Sequence, residues 1–222
     1  MRHLTGSVYA RFDKPVHMFR GETMAGIIAD EAVHKPDRGF VGGYYMETLS
    51  LGPSFLAAFA EPGAWGPDFA EIMDAYDRTA GMWIVGEDMP QASNRITLSD
   101  TVKDQWGLAA PNVHFDDHKN DVAMRDYAYE HAQKIYAAVG AIDSHRTPPY
   151  PSTHNLGTCR MSEKAEDGVV DRWGKAHDVP NLFISDGSVM TTGAAANPTL
   201  TIVALAIRQA EHIASELKKG NL

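Results

Sequence analysis

The chain has 222 residues, 44% of them hydrophobic and 22% charged, which allows one large core or two modest ones and is ordinary for a globular protein. A formal net charge of −9 with scattered basic residues argues against a nucleic-acid surface, because phosphate neutralisation needs clustered Lys and Arg. The single cysteine, Cys159, excludes an intrachain disulfide and a cysteine cage for metal, and the longest strongly apolar run, Leu200 to Ile207, is too short to span a bilayer.

In chain order, the alternation in Ser7-Val8-Tyr9-Ala10-Arg11-Phe12 and in Tyr44-Tyr45-Met46-Glu47-Thr48-Leu49 predicts two extended segments. Residues 67–80 read as a helix with Phe69, Ile72, Met73 and Tyr76 on one side. Arg95-Ile96-Thr97-Leu98 and Asn112-Val113-His114-Phe115 flank a polar, Gly107-containing connection and predict an antiparallel pair. Helical spacing of Val122, Ala123, Tyr127, His131, Ile135 and Ala138 predicts a helix over 120–139, stopped by Gly140. Thr147-Pro148-Pro149-Tyr150-Pro151 then breaks the pattern and reads as a crossing between two structural units or as a rigid rim. Beyond it, Val169-Val170-Asp171 and Leu182-Phe183-Ile184-Ser185-Asp186 read as short apolar strands. The last helix runs from 197 or 198 to about 219, with Leu200, Val203, Ala204, Ile207, Ala210, Ile213 and Leu217 as its core stripe.

Two segments can carry chemistry. His154-Asn155-Leu156-Gly157-Thr158-Cys159-Arg160-Met161 puts a histidine in a glycine-containing turn, where a neutral imidazole can act as a base. Ala194-Ala195-Ala196-Asn197-Pro198-Thr199-Leu200-Thr201 opens a helix, and its free first-turn N–H groups favour negative charge nearby. The small alanines permit close approach by something flat and large. The plain reading of Asn197 is an N-cap worth about 1 kcal/mol, and that of Cys159 is a buried, inert thiol. Two rivals are weaker. His114 and His118 lie among Asp116, Asp117 and Asp121 but in a loop and without H-E-x-x-H, so no metal is assigned. A Ser188/His154/Asp186 hydrolase lacks the G-x-S-x-G elbow. No G-x-G-x-x-G follows any predicted strand.

Taken together, H-N-L-G-T-C-R-M at 154–161, the strand ending in Asp186-Gly187-Ser188, and A-N-P-T-L-T at 196–201 resemble the C-terminal portion of the glucose–methanol–choline (GMC) family of flavin oxidoreductases. The wording is most similar to the bacterial branch that includes gluconate and related polyol dehydrogenases. Gly39-Phe40-Val41-Gly42-Gly43-Tyr44 and Gly86-Glu87-Asp88-Met89-Pro90 are similar to the same branch. The resemblance implies an α/β (α+β) chain. Residues 1–150 would be mostly a substrate domain with an antiparallel sheet and helices, and 151–222 the C-terminal segment that completes an FAD-binding, Rossmann-like domain.

It further implies His154 as the base that takes the hydroxyl proton while hydride passes to flavin N5. Asn197 would be its partner on the substrate oxygen, Asp186 and Gly187 the FAD-contacting segment, and Pro198 and Thr199 the backbone at the isoalloxazine edge, with Asn197 beside them. The implied activity is oxidation of a CH–OH group in a sugar, sugar acid or polyol, with a quinone or cytochrome preferred over oxygen as electron acceptor. Without the G-x-G-x-x-G unit, the chain alone is expected not to hold FAD tightly. It would be a fragment, one half of a split enzyme or the product of a wrongly assigned start, with a non-catalytic remnant or partner subunit as the alternative. An exposed sheet edge and an apolar face are then expected where the N-terminal FAD-binding portion docks.

Overall fold

The computed structural model describes residues 1–149 and 152–222, so the crossing at 147–151 lies partly outside the described residues. The chain divides into two compact units, one of residues Leu4–Glu87 and Lys119–Ser152, the other of Met1–His3, Asp88–His118 and Thr153–Leu222. A single cut near residue 150 therefore does not trace the compact bodies, because 88–118 groups with the C-terminal part.

The first unit is built on a five-stranded sheet in the order β2-β3-β4-β1-β7. Its strands are β1 (His3–Arg11), β2 (Ile27–Ile28), β3 (Tyr44–Thr48), β4 (Thr79–Glu87) and β7 (Asp143–Arg146). The pairs β2–β3, β3–β4 and β1–β7 are antiparallel. Side chains alternate across a strand, and this sheet uses both faces. Leu4, Val8, Ala10, Tyr44, Met46, Met82 and Ile84 turn towards Met124, Ala128, Tyr129, Ala132 and Tyr136 of helix α3 (Lys119–Ala138). Tyr9, Leu49 and the half-buried Trp83 join Met18, Leu56 and Ala60 in a second cluster. Two glycines let α3 lie close: a Cβ on Gly6 would sit 2.5 Å from the Tyr129 hydroxyl, and one on Gly86 2.9 Å from Met124 Sδ.

The predicted extent of α3 stands within a residue, but its inward face is another. Asp121, Met124, Arg125, Ala128, Tyr129, Ala132 and Tyr136 are buried, whereas Val122 and Tyr127 are exposed. The buried face carries an aspartate and an arginine, which hydrophobicity assigns to solvent, so the sequence pattern favours a competing stripe with the same period. The helix expected over 67–80 is shorter: α2 covers Gly66–Asp74, a 3-10 turn covers Tyr76–Arg78, and β4 begins at Thr79. Neither β4 nor α1 (Pro53–Phe59) is marked by the sequence pattern.

The second unit holds the antiparallel ribbon β5 (Arg95–Lys103) and β6 (Ala109–His114), longer than predicted, and helix α4 (Thr199–Lys219). Segments 169–171 and 182–186 do not form ladders. Val170 and Phe183 take part only in isolated bridges, with Met161, Ala176 and Lys175. The buried Gln209 ties α4 to this turn-rich region, donating from Nε2 to the carbonyls of Trp173 (2.8 Å) and Ile184 (2.9 Å).

Most of the stripe expected to be the core of α4 points outward instead, with Ile213 half-buried. Leu200 is 82% exposed, Val203 47%, and Ile207 and Leu217 each 57%. The inner face is Ile202, Leu205, Ala206 and Gln209, beside Trp173 and Ile184. No helix among the described residues is long and apolar enough to cross a membrane.

Candidate active site

The first three residues are fastened to the turn that carries His154. The Leu156 N–H donates to the Met1 carbonyl at 3.0 Å, and the Met1 ammonium donates to the Leu156 carbonyl at 3.3 Å. The Arg2 N–H donates to Asp88 Oδ2 at 2.9 Å, while its guanidinium pairs with Asp117 at 2.9 Å and lies over the Phe115 ring. Gly157 then turns the chain at φ 84°, a left-handed conformation that favours glycine, and a Cβ there would lie 3.1 Å from the Met190 carbonyl.

This anchoring brings His3 to His154. Their Nδ1 atoms are 3.1 Å apart and their rings cross at 82° with centroids 5.1 Å apart. His3 is fully buried. Burial, and after it repulsion from His154, pull its pKa from 6.5 down to about 4, and a side-chain interaction with Asn197 opposes them. Two histidines and an asparagine thus converge in one unit, with His3 held neutral at physiological pH. Among the described residues, His3 Nε2 has no hydrogen-bond partner.

Asn197 does not cap α4. The N-cap is Pro198 (φ −87°, ψ −2°), which has no side-chain cap, and the Ile202 N–H closes on the Pro198 carbonyl at 3.0 Å. The helix starts one residue later than the capping reading needs. Asn197, Thr199 and Leu200 are exposed, and no acidic side chain lies in the first turn, which leaves the positive helix end open.

Asp186 takes the Ser188 N–H at 2.8 Å and caps the 3-10 turn Gly187–Val189. Gly187 is buried, and a Cβ on it would lie 2.8 Å from Leu156 Cδ2 and 3.2 Å from Ile202 Cδ1. Its lack of a side chain lets the His154 turn and the first turn of α4 approach the same backbone. Further bonds join these segments, from Gly157 N–H to the Gly187 carbonyl (3.3 Å) and from Cys159 N–H to the Ser188 carbonyl (2.9 Å).

Other features fall outside this cluster. Cys159 is half-buried rather than fully enclosed. His114 pairs with Asp116 at 3.0 Å, both largely exposed, and no group of three or more His, Cys, Asp or Glu among the described residues could hold a metal ion. A cavity of about 760 Å³ lies alongside, lined by Met1, Gln91, Arg95, Gly157 and Arg160 among others. The cleft of the sheet unit, about 400 Å³, is lined in part by Arg11, Glu71 and Asp143, with Arg11 paired to both carboxylates. His3 itself was not among the residues singled out from sequence. Its partner is 151 positions away, so no local pattern marks it.

A family model described as GMC oxidoreductase, its C-terminal domain, matches residues 90–206. A 2-methyl-1,2-propanediol dehydrogenase of Mycolicibacterium austroafricanum is 36% identical over 204 residues, covering 88% of this chain and 37% of that protein. The large subunit of a fructose dehydrogenase from Gluconobacter japonicus is 33% identical over 135 residues, covering 60% of this chain and 25% of its own. Among solved structures, pyridoxine 4-oxidase from Mesorbium loti superposes with a TM-score of 0.59 at 19% identity, over 96% of this chain and 42% of that one. The chain therefore spans well under half the length of these relatives, and the structural likeness speaks for the fold alone.

Proposed function

The chain belongs to the GMC oxidoreductase family, and from that membership we propose that it forms the C-terminal part of an FAD-dependent enzyme that oxidises a CH–OH group, with His154 as the base. The observation that carries the reading is the meeting of His154 and Asn197, from two distant motifs, on one buried histidine. Polyol, sugar or sugar-acid substrates are supported by relatives named for a propanediol and for fructose. A quinone or cytochrome as electron acceptor belongs to the same proposal by likeness to the gluconate dehydrogenase branch.

The residues present suit a flavin. The uncapped first turn of α4 offers N–H groups beside the exposed, small Ala194 and Ala196, which leave room for a flat ring. Pro198 and Thr199 would meet the ring edge, and Asp186 and Gly187 the rest of FAD. When bound, FAD supplies the hydride acceptor. The chain's own residues do the remainder. His154 takes the hydroxyl proton, so positive charge does not accumulate on the carbon as hydride leaves, and the Asn197 amide orients the substrate oxygen. The helix end supplies fixed dipoles towards negative charge on the ring.

The domain roles follow the compact units. We assign residues 4–87 and 119–152 to the substrate side and the unit containing His154 and α4 to the cofactor side. The outward apolar stripe of α4 supports a further FAD-binding portion docking there, as the length of the relatives suggests.

The test is direct. The chain is purified alone and together with the N-terminal FAD-binding portion of a relative, and flavin absorbance is recorded. Colour in the pair, with substrate-driven bleaching that falls about 10²–10⁴-fold in His154→Ala, supports the reading. Colour without bleaching marks a non-catalytic partner, and undiminished bleaching in His154→Ala removes the histidine from the role.

A further inference from the structure

Away from the histidine cluster, the second unit gathers cations around one indole. His212 of α4 lies flat on Trp173, with ring centroids 4.2 Å apart and planes 9° from parallel. The guanidinium carbons of Arg172 and Arg208 stand 5.1 and 5.2 Å from the same indole centroid. Both arginines are exposed, and neither has a carboxylate within 4.0 Å among the described residues. We infer that Arg172 and Arg208, held on Trp173, form a binding site for a phosphate group, separate from the proposed site of hydride transfer. Arg208 stands about 14 Å along the α4 axis from Thr199.

The indole is fixed before any ligand arrives. The Trp173 N–H donates to Asp171 Oδ1 at 2.7 Å, its carbonyl accepts from Gln209 Nε2 at 2.8 Å, and His212 backs the ring. Stacking uses the face of a guanidinium, whereas its five N–H groups lie in its plane, so contact with the ring leaves them for a ligand. Among the described residues, Arg172 spends none of them on protein, and Arg208 gives one, from Nη2 to the Arg172 carbonyl. Carboxylates close in sequence are engaged elsewhere. Asp171 Oδ1 also takes the Lys175 N–H at 3.1 Å, and Glu216 pairs with Lys219 and accepts from Asn221. Two cations with unspent forks and no counter-ion, in a chain of net charge −9, gain most from a group with two negative charges and several acceptor oxygens. A phosphate group meets both needs. Chloride offers neither the second charge nor oxygens spaced for a fork.

The experiment uses the 222-residue chain labelled with 15N at low ionic strength, where screening is weak. Inorganic phosphate, a hexose phosphate and chloride are titrated in turn at matched ionic strength, and the indole and arginine Nε–H signals are followed by NMR. Trp173→Phe identifies the Trp173 signal among the four tryptophans. The expected result is a saturable shift of Trp173 and of both arginine signals with phosphate and little shift with chloride. Arg172→Ala and Arg208→Ala should each weaken binding about tenfold. Arg208→Lys keeps the charge but loses the fork, so it should recover only part. Tighter binding of the hexose phosphate supports the site with a phosphorylated small molecule as its ligand, and equal binding supports it with the free ion. Wild-type signals that do not saturate, or that chloride moves equally, overturn the inference without any variant, as does binding that survives both alanine substitutions. In the enzyme assembled with an N-terminal FAD-binding portion, phosphate should bind without releasing flavin. Release of flavin would assign the two arginines to the diphosphate of FAD and overturn a separate site.

Discussion

Acidification should loosen the chain through His3 before the carboxylates are protonated. A buried histidine whose pKa falls from 6.5 to about 4 on folding binds fewer protons in the native than in the unfolded state over that interval. Its unfavourable contribution is absent above pH 6.5, grows as pH falls towards 4, and is complete below that. Between pH 7 and pH 5 the shift withdraws about 2 kcal/mol of stability, or roughly 4–8 °C in midpoint for a chain of this size. Urea unfolding of wild type and His3→Asn at the two pH values isolates the contribution, because asparagine does not titrate. The wild type should lose about 2 kcal/mol more than the variant over that step. Parallel losses in both proteins would mean that His3 charges as readily in the fold as in the open chain, and the argument for an enforced neutral ring would fail.

Glycine substitutions should separate by what a Cβ meets. Gly43→Ala would place a carbon 2.3 Å from the Ala32 carbonyl oxygen, a backbone atom that cannot swing aside. It should cost about 3 kcal/mol or more in urea unfolding, whereas Gly52→Ala, with nothing within 4 Å and φ −71°, should stay within about 0.5 kcal/mol. Gly187→Ala should cost about 1–3 kcal/mol, because its neighbours at 2.8 and 3.2 Å are the movable ends of Leu156 and Ile202. Ile207→Lys, on the outward stripe of α4, should leave the midpoint of the chain alone within about 2 °C. It should also weaken recovery of flavin colour with an N-terminal FAD-binding portion, and a stripe unconnected with that portion would leave the colour unchanged.

The sequence revealed periods better than faces. Helical spacing located α3 and α4, and turn chemistry placed their ends, with Gly140 at φ 88° and Gly220 at φ 74° in the left-handed conformation that stops a helix. Deciding which side of each helix is buried needs the partner surface, and that is non-local information. On α3 the sheet glycines Gly6 and Gly86 select the side with Tyr129 and Met124, at the expense of a stripe of equal period. On α4 the buried side is chosen by an amide, Gln209, that satisfies two carbonyls of the turn region, and the more hydrophobic side is left outward.

The candidate site divides in the same way. His154 and Asn197 can be singled out as candidates because a turn histidine and an Asn-Pro helix start are local patterns. His3 cannot, because its meaning comes from a contact made 151 residues along the chain and from its burial. Nothing in Met1-Arg2-His3-Leu4 distinguishes a buried imidazole from the first polar residue of a strand. The distinction arises when Met1 bonds Leu156 and Arg2 engages Asp88 and Asp117, which fixes His3 beside His154. If that anchoring is what makes the cluster, Arg2→Ala should loosen the burial of His3 and move its titration, followed by histidine NMR, from about 4 back towards 6.5. A His3 that titrates as low in Arg2→Ala as in the wild type would show that packing around it suffices without the ion pair.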